Sequence, residues 1–510
     1  MKTLDKKRID WMLTLVPFIC IIGIAFFLFM FPERSNVIIN QVRFFLGDTL
    51  GVYYLLIGVG VLLISIFLSF SKYGSIVLGA PGEKPKYSFF AWGSMMFTCG
   101  LAADILFYSF VEWLMYATNP YVESMGNVEE WAGVFPIFHW SFIPWGFYLV
   151  LAVVFGFMIH VRKRNKQRYS EACRPIIGKA ADGIVGRLID LFAVFALLAG
   201  TATTFSIATP LISGIIVKLF AVDINRTMIT IIILLLTFVV YTYAVFFGFK
   251  GISMLAKLCI YMFFVLLILV LFLGGQGRFI IENGFQSFGK MLQNFIGLAT
   301  YVDPERGSNF PQDWTIYYWA YWMVWCIAAP FFIGNISRGR TIKQTILGGY
   351  IFGVGATVIS FVVLGNYSLG RQVSGISDFI NQYNTTGDLY ELILDIISTL
   401  PYSEIILVLM LLCMLAFYAT SFDSIAYTAA CYSYKRIGDN EHPHTLIQLL
   451  WCLLLIVLPI ALVFSESSIN NIQSISIISA FPIGIIMIVM IWGFIKDARS
   501  YLEDRKNMLE

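Results

Sequence analysis

Aromatic side chains are concentrated in residues 313–325, which read DWTIYYWAYWMVW and contain four of the twelve Trp in the chain. In a helix, one face of this segment carries five large rings. They belong to Trp314, Tyr318, Tyr321, Trp322 and Trp325. A trimethylammonium group has no N–H to donate, but each desolvated ring face attracts it by on the order of 2 kcal/mol. The spacing therefore predicts an aromatic site for an organic cation.

The same rings have a second interpretation, as an aromatic belt at the membrane surface, where Trp and Tyr are enriched. A belt accounts for Trp314 at the start of the segment. Trp325 would lie roughly 16 Å deeper along a helix, near the middle of a bilayer. Polar ring atoms at that depth need partners, and simple helix packing favours small residues. We therefore prefer a binding site over a belt or plain packing.

A second aromatic group lies at residues 138–148, which read FHWSFIPWGFY. Trp145 and Tyr148 are three residues apart and therefore neighbours on one helical face. Pro144 removes one backbone donor and predicts a kink. Two aromatic faces on distant segments can close a box around a cation, so the two groups are expected to meet.

The composition predicts that lipid surrounds most of the chain. Of its 510 residues, 59% are hydrophobic and 13% are charged, which is too little charge to cover a water-facing surface. The net charge of +3 is too small to indicate a nucleic-acid partner. The eight Cys form no CxxC or zinc spacing and are expected to be buried thiols. The four His and the absence of an HExxH motif argue against an intramembrane metalloenzyme.

Apolar stretches recur along the chain at a length that crosses a bilayer, which takes about 20 residues. There are twelve, at residues 11–31, 50–71, 88–117, 135–161, 187–220, 227–248, 252–275, 314–335, 345–369, 403–432, 446–464 and 470–494. The first is longer than the apolar core of a signal peptide, so we expect it to be retained. Residues 279–311 are amphipathic and are predicted to form a helix at the membrane interface.

Lys and Arg are distributed unequally between the two sides of this predicted topology. About 26 of the 34 lie in the termini and in alternate loops on one side. The opposite loops are poor in basic residues and carry Glu123, Glu129 and Glu130. The positive-inside rule therefore predicts that both termini are cytoplasmic. We interpret the basic cluster at 162–168 as a topology anchor, with lipid-headgroup binding as the alternative.

Two carboxylates, Asp104 and Glu112, fall inside the third apolar stretch. An ionisable group within a membrane span is costly and is by default a functional hypothesis. We expect Asp104 to take part in function, with structural pairing to a neighbouring helix as the alternative. Glu112 is assigned a structural or interfacial role. His139 and His160 have no evident partner in the sequence.

Four motifs resemble the betaine/choline/carnitine transporter family, and most closely its carnitine branch. They are FHW at 138–140 with Trp145, FPQDWT at 310–315, ISRGRT at 336–341 and FIKDA at 494–498. The resemblance covers nearly the whole chain. It implies an all-α membrane protein with twelve transmembrane helices, in which a LeuT-like 5+5 inverted repeat follows two extra helices. It also implies a homotrimer in the plasma (inner) membrane.

The resemblance divides the chain into five regions. These are residues 1–87 for the N-terminal tail and two peripheral helices, 88–276 for the first repeat, 277–313 for the interfacial helix and loop, 314–494 for the second repeat, and 495–510 for a cytoplasmic tail. By position, it implies a substrate site of six rings. They are those of Trp140, Trp145, Tyr148, Tyr321, Trp322 and Trp325, of which Tyr321 stands where the family usually has another Trp.

The resemblance leaves the mode of ion coupling open. Thr420 and Ser421 match hydroxyl ligands for sodium in sodium-coupled members, and Asp104 matches an Asp of proton-coupled choline members. Sodium-independent exchangers place an Arg in the seventh span, where this chain has Cys259. We therefore expect an ion-coupled carrier, with sodium or a proton as the coupling ion and no other cofactor or metal. Sodium-independent exchange of carnitine or butyrobetaine is the alternative.

The sequence thus predicts a secondary active transporter, and not an enzyme, for a small trimethylammonium compound. Choline, glycine betaine, carnitine and butyrobetaine share that head group and differ in whether a carboxylate accompanies it. Asp104 would balance the charge of choline, whereas the likeness to the carnitine branch slightly favours the zwitterions. Two competing classes of protein are a membrane sensor that does not transport and an intramembrane enzyme.

Overall fold

The structure is a computed structural model that describes residues 8–99, 101, 103–164, 166–221, 225–247, 252–435, 443–464 and 469–507. Inside the helices, the described part excludes the side chains at 240–247, 252–257, 419–420, 423–424 and 469–471. The regular secondary structure in these ranges is helical. Two isolated β-bridges pair Ile9 with Tyr434 and Val77 with Thr341. Helices are expected in lipid because the backbone must satisfy its own hydrogen bonds there.

The helices fall in two halves of the chain. The first half contains α1 (Trp11–Met30), α2 (Pro32–Arg43), α3 (Val52–Phe70), α4 (Phe89–Thr98), α5 (Ile105–Ala117), α6 (Pro120–Ser124), α7 (Val128–His139), α8 (Phe142–Gly156), α9 (Tyr169–Ile177), α10 (Ile184–Phe220), α11 (Arg226–Phe247), α12 (Ile252–Leu273) and α13 (Gly277–Thr300). The second half contains α14 (Ile316–Trp325), α15 (Ala329–Ile336), α16 (Ile342–Gly349), α17 (Gly355–Ser360), α18 (Asn366–Val373), α19 (Phe379–Thr386), α20 (Leu389–Ser398), α21 (Ser403–Tyr432), α22 (Thr445–Phe464) and α23 (Ile469–Asn507).

Wider π-helical turns extend several of these helices. They are Phe44–Thr49, Phe157–Val161, Pro311–Thr315, Tyr350–Val354 and Phe361–Gly365. Two short 3₁₀ turns, Lys72–Ser75 and Gly178–Asp182, lie in loops. The turn at Pro311–Thr315 opens the aromatic segment directly before α14. The turn at Tyr350–Val354 faces α8, so π-helical turns border both aromatic groups.

In the described residues, seven helices are long and apolar enough to cross a membrane, and nine if each of two bent pairs is one span. Three shorter apolar helices, Ile105–Ala117, Arg226–Val239 and Ser403–Tyr418, coincide with three more of the predicted stretches. The third predicted span is missing from the count because it is broken into two short helices, α4 and α5. The predicted total of twelve is therefore not reached by length and hydropathy alone.

Burial separates central helices from peripheral ones. The apolar window of Val128–Val161 is 89% buried and that of Ile184–Phe220 is 83% buried, whereas that of Trp11–Met30 is only 28% buried. A helix that lies at the centre of a bundle contacts protein on all sides, and a peripheral helix leaves most of its apolar surface to lipid. The helices α7, α8 and α10 thus form the core, and α1 lies at its edge.

Three predicted spans are interrupted in the part of the chain that the structure describes. The third is broken between Thr98 and Ile105, and the fourth at Trp140–Ser141. The eighth bends by 58° between α14 and α15. A broken helix frees backbone groups that need new partners. One is supplied by Tyr169, whose hydroxyl donates to the carbonyl of Cys326 at 2.6 Å.

The segment predicted to lie at the interface forms α13, which ends at Thr300 rather than at residue 311. It follows α12 after a bend of 110°. Residues 301–310 are a loop that leads into the π-helical turn at Pro311. The last helix, α23, continues without a break from Ile469 to Asn507, so the predicted tail at 495 begins inside a helix.

Candidate substrate site

Four aromatic side chains meet where α8 packs against α14. Trp322 lies among them, with its ring centroid 4.8 Å from that of Tyr148, 5.6 Å from that of Trp145 and 5.8 Å from that of Trp140. The rings are tilted by 51° to 74°, which sets edges against faces. We call these four residues the aromatic box.

The aromatic box is closed in this structure. None of its four side chains is more than 6% exposed. A cation is attracted when it lies over a ring face within about 6 Å of the centroid. Because the rings already touch one another, a trimethylammonium group can enter only if they move apart. The structure therefore presents an occluded arrangement of the rings.

A helix break directs two rings of the box. Trp140 follows the last residue of α7, and its freed backbone carbonyl accepts a hydrogen bond from the Thr357 hydroxyl at 2.6 Å. The same hydroxyl accepts from the indole N–H of Trp145 at 3.4 Å. Pro144 lies in the first turn of α8, where a helix has no acceptor for its N–H. The predicted kink is thus found just before Pro144, at Trp140 and Ser141.

Glu112 is fully buried on α5 and fastens the ring of Trp140. Its Oε2 accepts a hydrogen bond from the Trp140 indole at 2.8 Å, and its Oε1 accepts from the Tyr116 hydroxyl at 2.6 Å. The Tyr116 oxygen also lies 2.7 Å from Nδ1 of His139, whose Nε2 is 3.0 Å from the Thr315 hydroxyl. His139 therefore has two partners, neither of which the sequence indicated.

Asp104 is buried at the N-terminus of α5 and pairs with a residue next to the box. The hydroxyl of Tyr321 donates a hydrogen bond to its carboxylate and also contacts the hydroxyl of Thr204 on α10. No Lys or Arg forms an ion pair with Asp104 among the residues that the structure describes. Tyr321 thus joins a carboxylate to α10 instead of joining the four rings.

The five rings predicted to share one face of the aromatic segment are divided between several neighbours. Trp314 stacks edge-on with Tyr116 at 5.0 Å. Trp325 is half-buried beside Gly200 on α10, and within the described chain no ring contact joins it to the box. The five positions lie within about 100° of one another around a helix, but only Trp322 among them belongs to the aromatic box. The contacts of this face are thus divided between the box, Asp104, α10 and Tyr116.

The residues predicted for ion coupling are described unequally. Ser421 is half-buried on α21, but the side chain of Thr420 lies outside the described residues. Cys259 on α12 is buried, and its thiol points to the backbone carbonyl of Cys413 on α21 at 3.8 Å. The position where exchangers are expected to carry an Arg thus holds a thiol against a carbonyl.

The indole N–H of Trp322 is buried and has no hydrogen-bond acceptor in the described part of the chain. A buried donor without a partner costs about 1–3 kcal/mol. An oxygen atom of a bound molecule would satisfy it.

Sequence reasoning named Glu112 and His139 without their partners, and it missed four other residues that hold the rings, namely Tyr116, Thr204, Thr315 and Thr357. One signal was present, because Glu112 and Tyr116 are four residues apart and therefore adjacent on a helix. The others come from elements distant in sequence, and no spacing rule brings them together.

A model of the betaine/carnitine/choline family of transporters matches residues 12–503. The chain belongs to this family. It is 26% identical over 436 residues to a carnitine transporter of Acinetobacter baumannii, across 84% of this chain and 78% of that one. It is also 26% identical over 435 residues to the uncharacterized transporter YeaV of Escherichia coli, across 84% of this chain and 89% of that one.

Membership of the family settles the class of the protein. It is a multi-pass membrane transporter and not an enzyme, and the resemblance seen in the sequence is confirmed. The compounds after which the family is named are small and carry a quaternary ammonium group. The family also places the protein in the plasma membrane.

Proposed function

We propose that this chain is a secondary active transporter that binds a trimethylammonium compound, such as carnitine, glycine betaine or choline, in the aromatic box. The observation that carries the proposal is that Trp140 at the break after α7, and Trp145 and Tyr148 of α8, converge on Trp322 of α14. A membrane-surface belt gains nothing from rings buried against one another. Ring faces that approach from several directions are what a quaternary ammonium group requires.

The carrier would work by alternating access, with the three interrupted spans as its moving parts. The breaks before α5, before α8 and after α14 flank the box, and discontinuous helices surround the substrate in many transporters. Twelve spans, arranged as a LeuT-like inverted repeat after two extra helices, are consistent with breaks in the third and eighth spans. Entry of the substrate would separate Trp322 from the rings on α8.

The charges around the box bear on the choice of substrate. Asp104 and Glu112 are buried carboxylates that accept hydrogen bonds from hydroxyl and indole groups, which favours a ligand with a positive charge. The indole N–H of Trp322, which has no acceptor among the described residues, favours a ligand that also carries an oxygen. Choline meets both conditions. The relative described as a carnitine transporter supports a zwitterion instead.

Uptake into proteoliposomes tests this function. Labelled choline, glycine betaine and carnitine would each be offered to the purified full-length protein with a sodium gradient, with a proton gradient and with no gradient. We expect accumulation of at least one compound above protein-free vesicles. Absence of uptake and of counterflow for all three would contradict the proposal and favour a non-transporting sensor.

Ion coupling is proposed because Cys259 replaces the Arg that the exchange mode is expected to use. Thr420 and Ser421 are the proposed sodium ligands, and Asp104 is the proposed proton carrier. Sodium-driven uptake that Thr420→Ala abolishes would assign the coupling to the hydroxyl groups. Proton-driven uptake that Asp104→Asn uncouples would assign it to the carboxylate. Equal exchange under every gradient would overturn the proposal of coupling.

A further inference from the structure

Glu112 lies outside the aromatic box and holds the ring of Trp140, which belongs to the box. Its side chain is fully buried, and both carboxylate oxygens accept hydrogen bonds. The Trp140 indole, which can only donate, bonds to Oε2 at 2.8 Å. Two torsion angles set the direction of an indole ring, and a fixed N–H leaves little freedom in either. The contact therefore restricts the orientation of the Trp140 ring beside Trp322.

The remaining contacts of Glu112 fix the protons along a chain. When Tyr116 donates its only hydroxyl proton to Oε1, its oxygen must accept from Nδ1–H of His139. In the neutral ring, Nε2 then carries no proton and accepts from the hydroxyl of Thr315. Every donor in the chain thus points toward the carboxylate of Glu112. Such alignment polarises successive hydrogen bonds and strengthens them.

This chain of hydrogen bonds connects the three elements that build the site. Glu112 lies on α5, Trp140 lies at the break between α7 and α8, and Thr315 lies in the π-helical turn that precedes α14. The ring of Trp140 is 5.8 Å from Trp322 and 5.6 Å from Tyr318, both on α14. An indole that donates to a carboxylate also gains electron density in its ring, which favours attraction of a cation.

We propose that Glu112 is a positioning residue for the substrate, which acts through the indole N–H of Trp140. The inference rests on the proposed function, because it requires that Trp140 contacts the quaternary ammonium group. Glu112 itself does not touch the substrate. It sets the orientation and the electron density of the ring that does.

A double-mutant cycle tests the inference on the purified full-length protein. Equilibrium binding of labelled choline, glycine betaine and carnitine would be measured for wild type, Glu112→Gln, Trp140→Phe and the double variant. Gln keeps the size of Glu but offers one acceptor atom in place of two. We expect Glu112→Gln to weaken binding by about tenfold in wild type and by less than about twofold in Trp140→Phe, because the Phe ring has no N–H to hold.

Thermal unfolding separates the positioning role of Glu112 from a purely structural role. If the role were purely structural, Glu112→Gln would lower stability and leave the affinity of the folded protein unchanged. An equal loss of affinity in both backgrounds would overturn the inference. Failure of wild type to bind any of the three compounds would instead overturn the proposed function. If Glu112→Gln does not fold, Trp140→Phe is compared with Trp145→Phe. In the wild-type protein the indole N–H of Trp145 donates to a hydroxyl at 3.4 Å and not to a carboxylate. The inference then requires the larger loss from Trp140→Phe, and an equal or smaller loss overturns it.

Discussion

Trp322 is the residue on which the aromatic box depends, because it alone contacts the other three rings. The three neighbours come from the break between α7 and α8 and from α8 itself. Trp322 is the only contribution from α14. Without Trp322, a bound cation would lack the ring that α14 contributes to the box.

We expect Trp322→Leu to weaken binding of the trimethylammonium substrate by at least about tenfold, since the loss of one ring face removes about 1.4 kcal/mol or more. Trp314→Leu is the matched control, because Trp314 contacts Tyr116 and Tyr318 and no ring of the box. Equilibrium binding to folded protein measures both. Equal losses from the two variants would show that Trp322 has no special place in the site.

The residue types at the site could be predicted from the sequence, but their contacts could not. Spacing alone indicated that Trp and Tyr on two segments would meet, and Trp140, Trp145 and Tyr148 do meet Trp322. Spacing could not indicate that Tyr321 turns to Asp104, since that depends on how the N-terminus of α5 packs against α14. A one-dimensional pattern states which residues share a helix face, but not which neighbour each of them reaches.

At the scale of elements, the π-helical turn Tyr350–Val354 gives Trp145 its place. A Cβ atom built on Gly353 would lie 2.4 Å from the ring of Trp145. No side chain tolerates such an approach, so the turn and the ring are in direct contact only because residue 353 is Gly. The helix that follows this turn supplies Thr357, so one continuous segment holds both Trp140 and Trp145.

We expect Gly353→Ala to displace the ring of Trp145 and to reduce substrate affinity by about tenfold, because overpacking in a buried contact costs about 1–3 kcal/mol. Gly355→Ala is the control, since a Cβ there meets nothing within 4 Å. It should bind like wild type and unfold at the same or a slightly higher temperature. The idea fails if the two Ala variants cannot be distinguished in binding and in thermal unfolding.

The helix breaks show a second limit of sequence-based prediction. Pro144 indicated a kink in the fourth span, and the interruption lies within a few residues of it. Nothing in the local sequence indicated that Thr357 would bond to the freed carbonyl of Trp140, because the two residues are 217 positions apart. Such partners decide whether a break is stable in an apolar interior, and only the tertiary structure reveals them.

At the scale of the whole molecule, the basic cluster at 162–168 is tied to the protein itself. Arg162 and Arg164 both bond to Asp497 at 2.7 Å, and Lys166 bonds to Asp182 at 2.5 Å. Arg168 is buried near Asp190 and donates to the backbone carbonyl of Tyr432. These contacts tie four basic residues of the cluster to the protein, and its interpretation as an anchor of topology stays a prediction.

The pairing within this region persists at neutral pH. Hydrogen bonds from Arg174 and Lys166 hold the pKa of Asp182 well below its usual range. A depressed carboxyl pKa stabilises the fold above the unfolded-state pKa, and that contribution is lost only as the pH falls through the folded-state value. We therefore expect the segment that contains Lys166, Arg174 and Asp182 to stay ordered across the physiological pH range.

The distribution of basic residues predicts on which side this loop lies. In a Cys20→Ala, Cys99→Ala background the other native thiols are buried, so introduced cysteines can be labelled selectively. Lys163→Cys should react with an impermeant reagent only from the cytoplasmic side, and Glu123→Cys only from outside. Labelling of intact cells and inverted vesicles measures this. The reverse pattern would refute the proposed orientation of both termini.

The central claim about the whole molecule is that the aromatic box recognises a positive charge through ring faces and not merely an apolar shape. Replacing the quaternary nitrogen with carbon keeps the shape and removes the charge. Competition binding would compare choline with 3,3-dimethylbutanol, and glycine betaine with 3,3-dimethylbutanoate, on the wild-type protein. We predict that the trimethylammonium member of the pair that binds competes about 30-fold or more strongly, as expected from about 2 kcal/mol of cation–π attraction. Equal competition by the two members would contradict recognition of the charge by the rings.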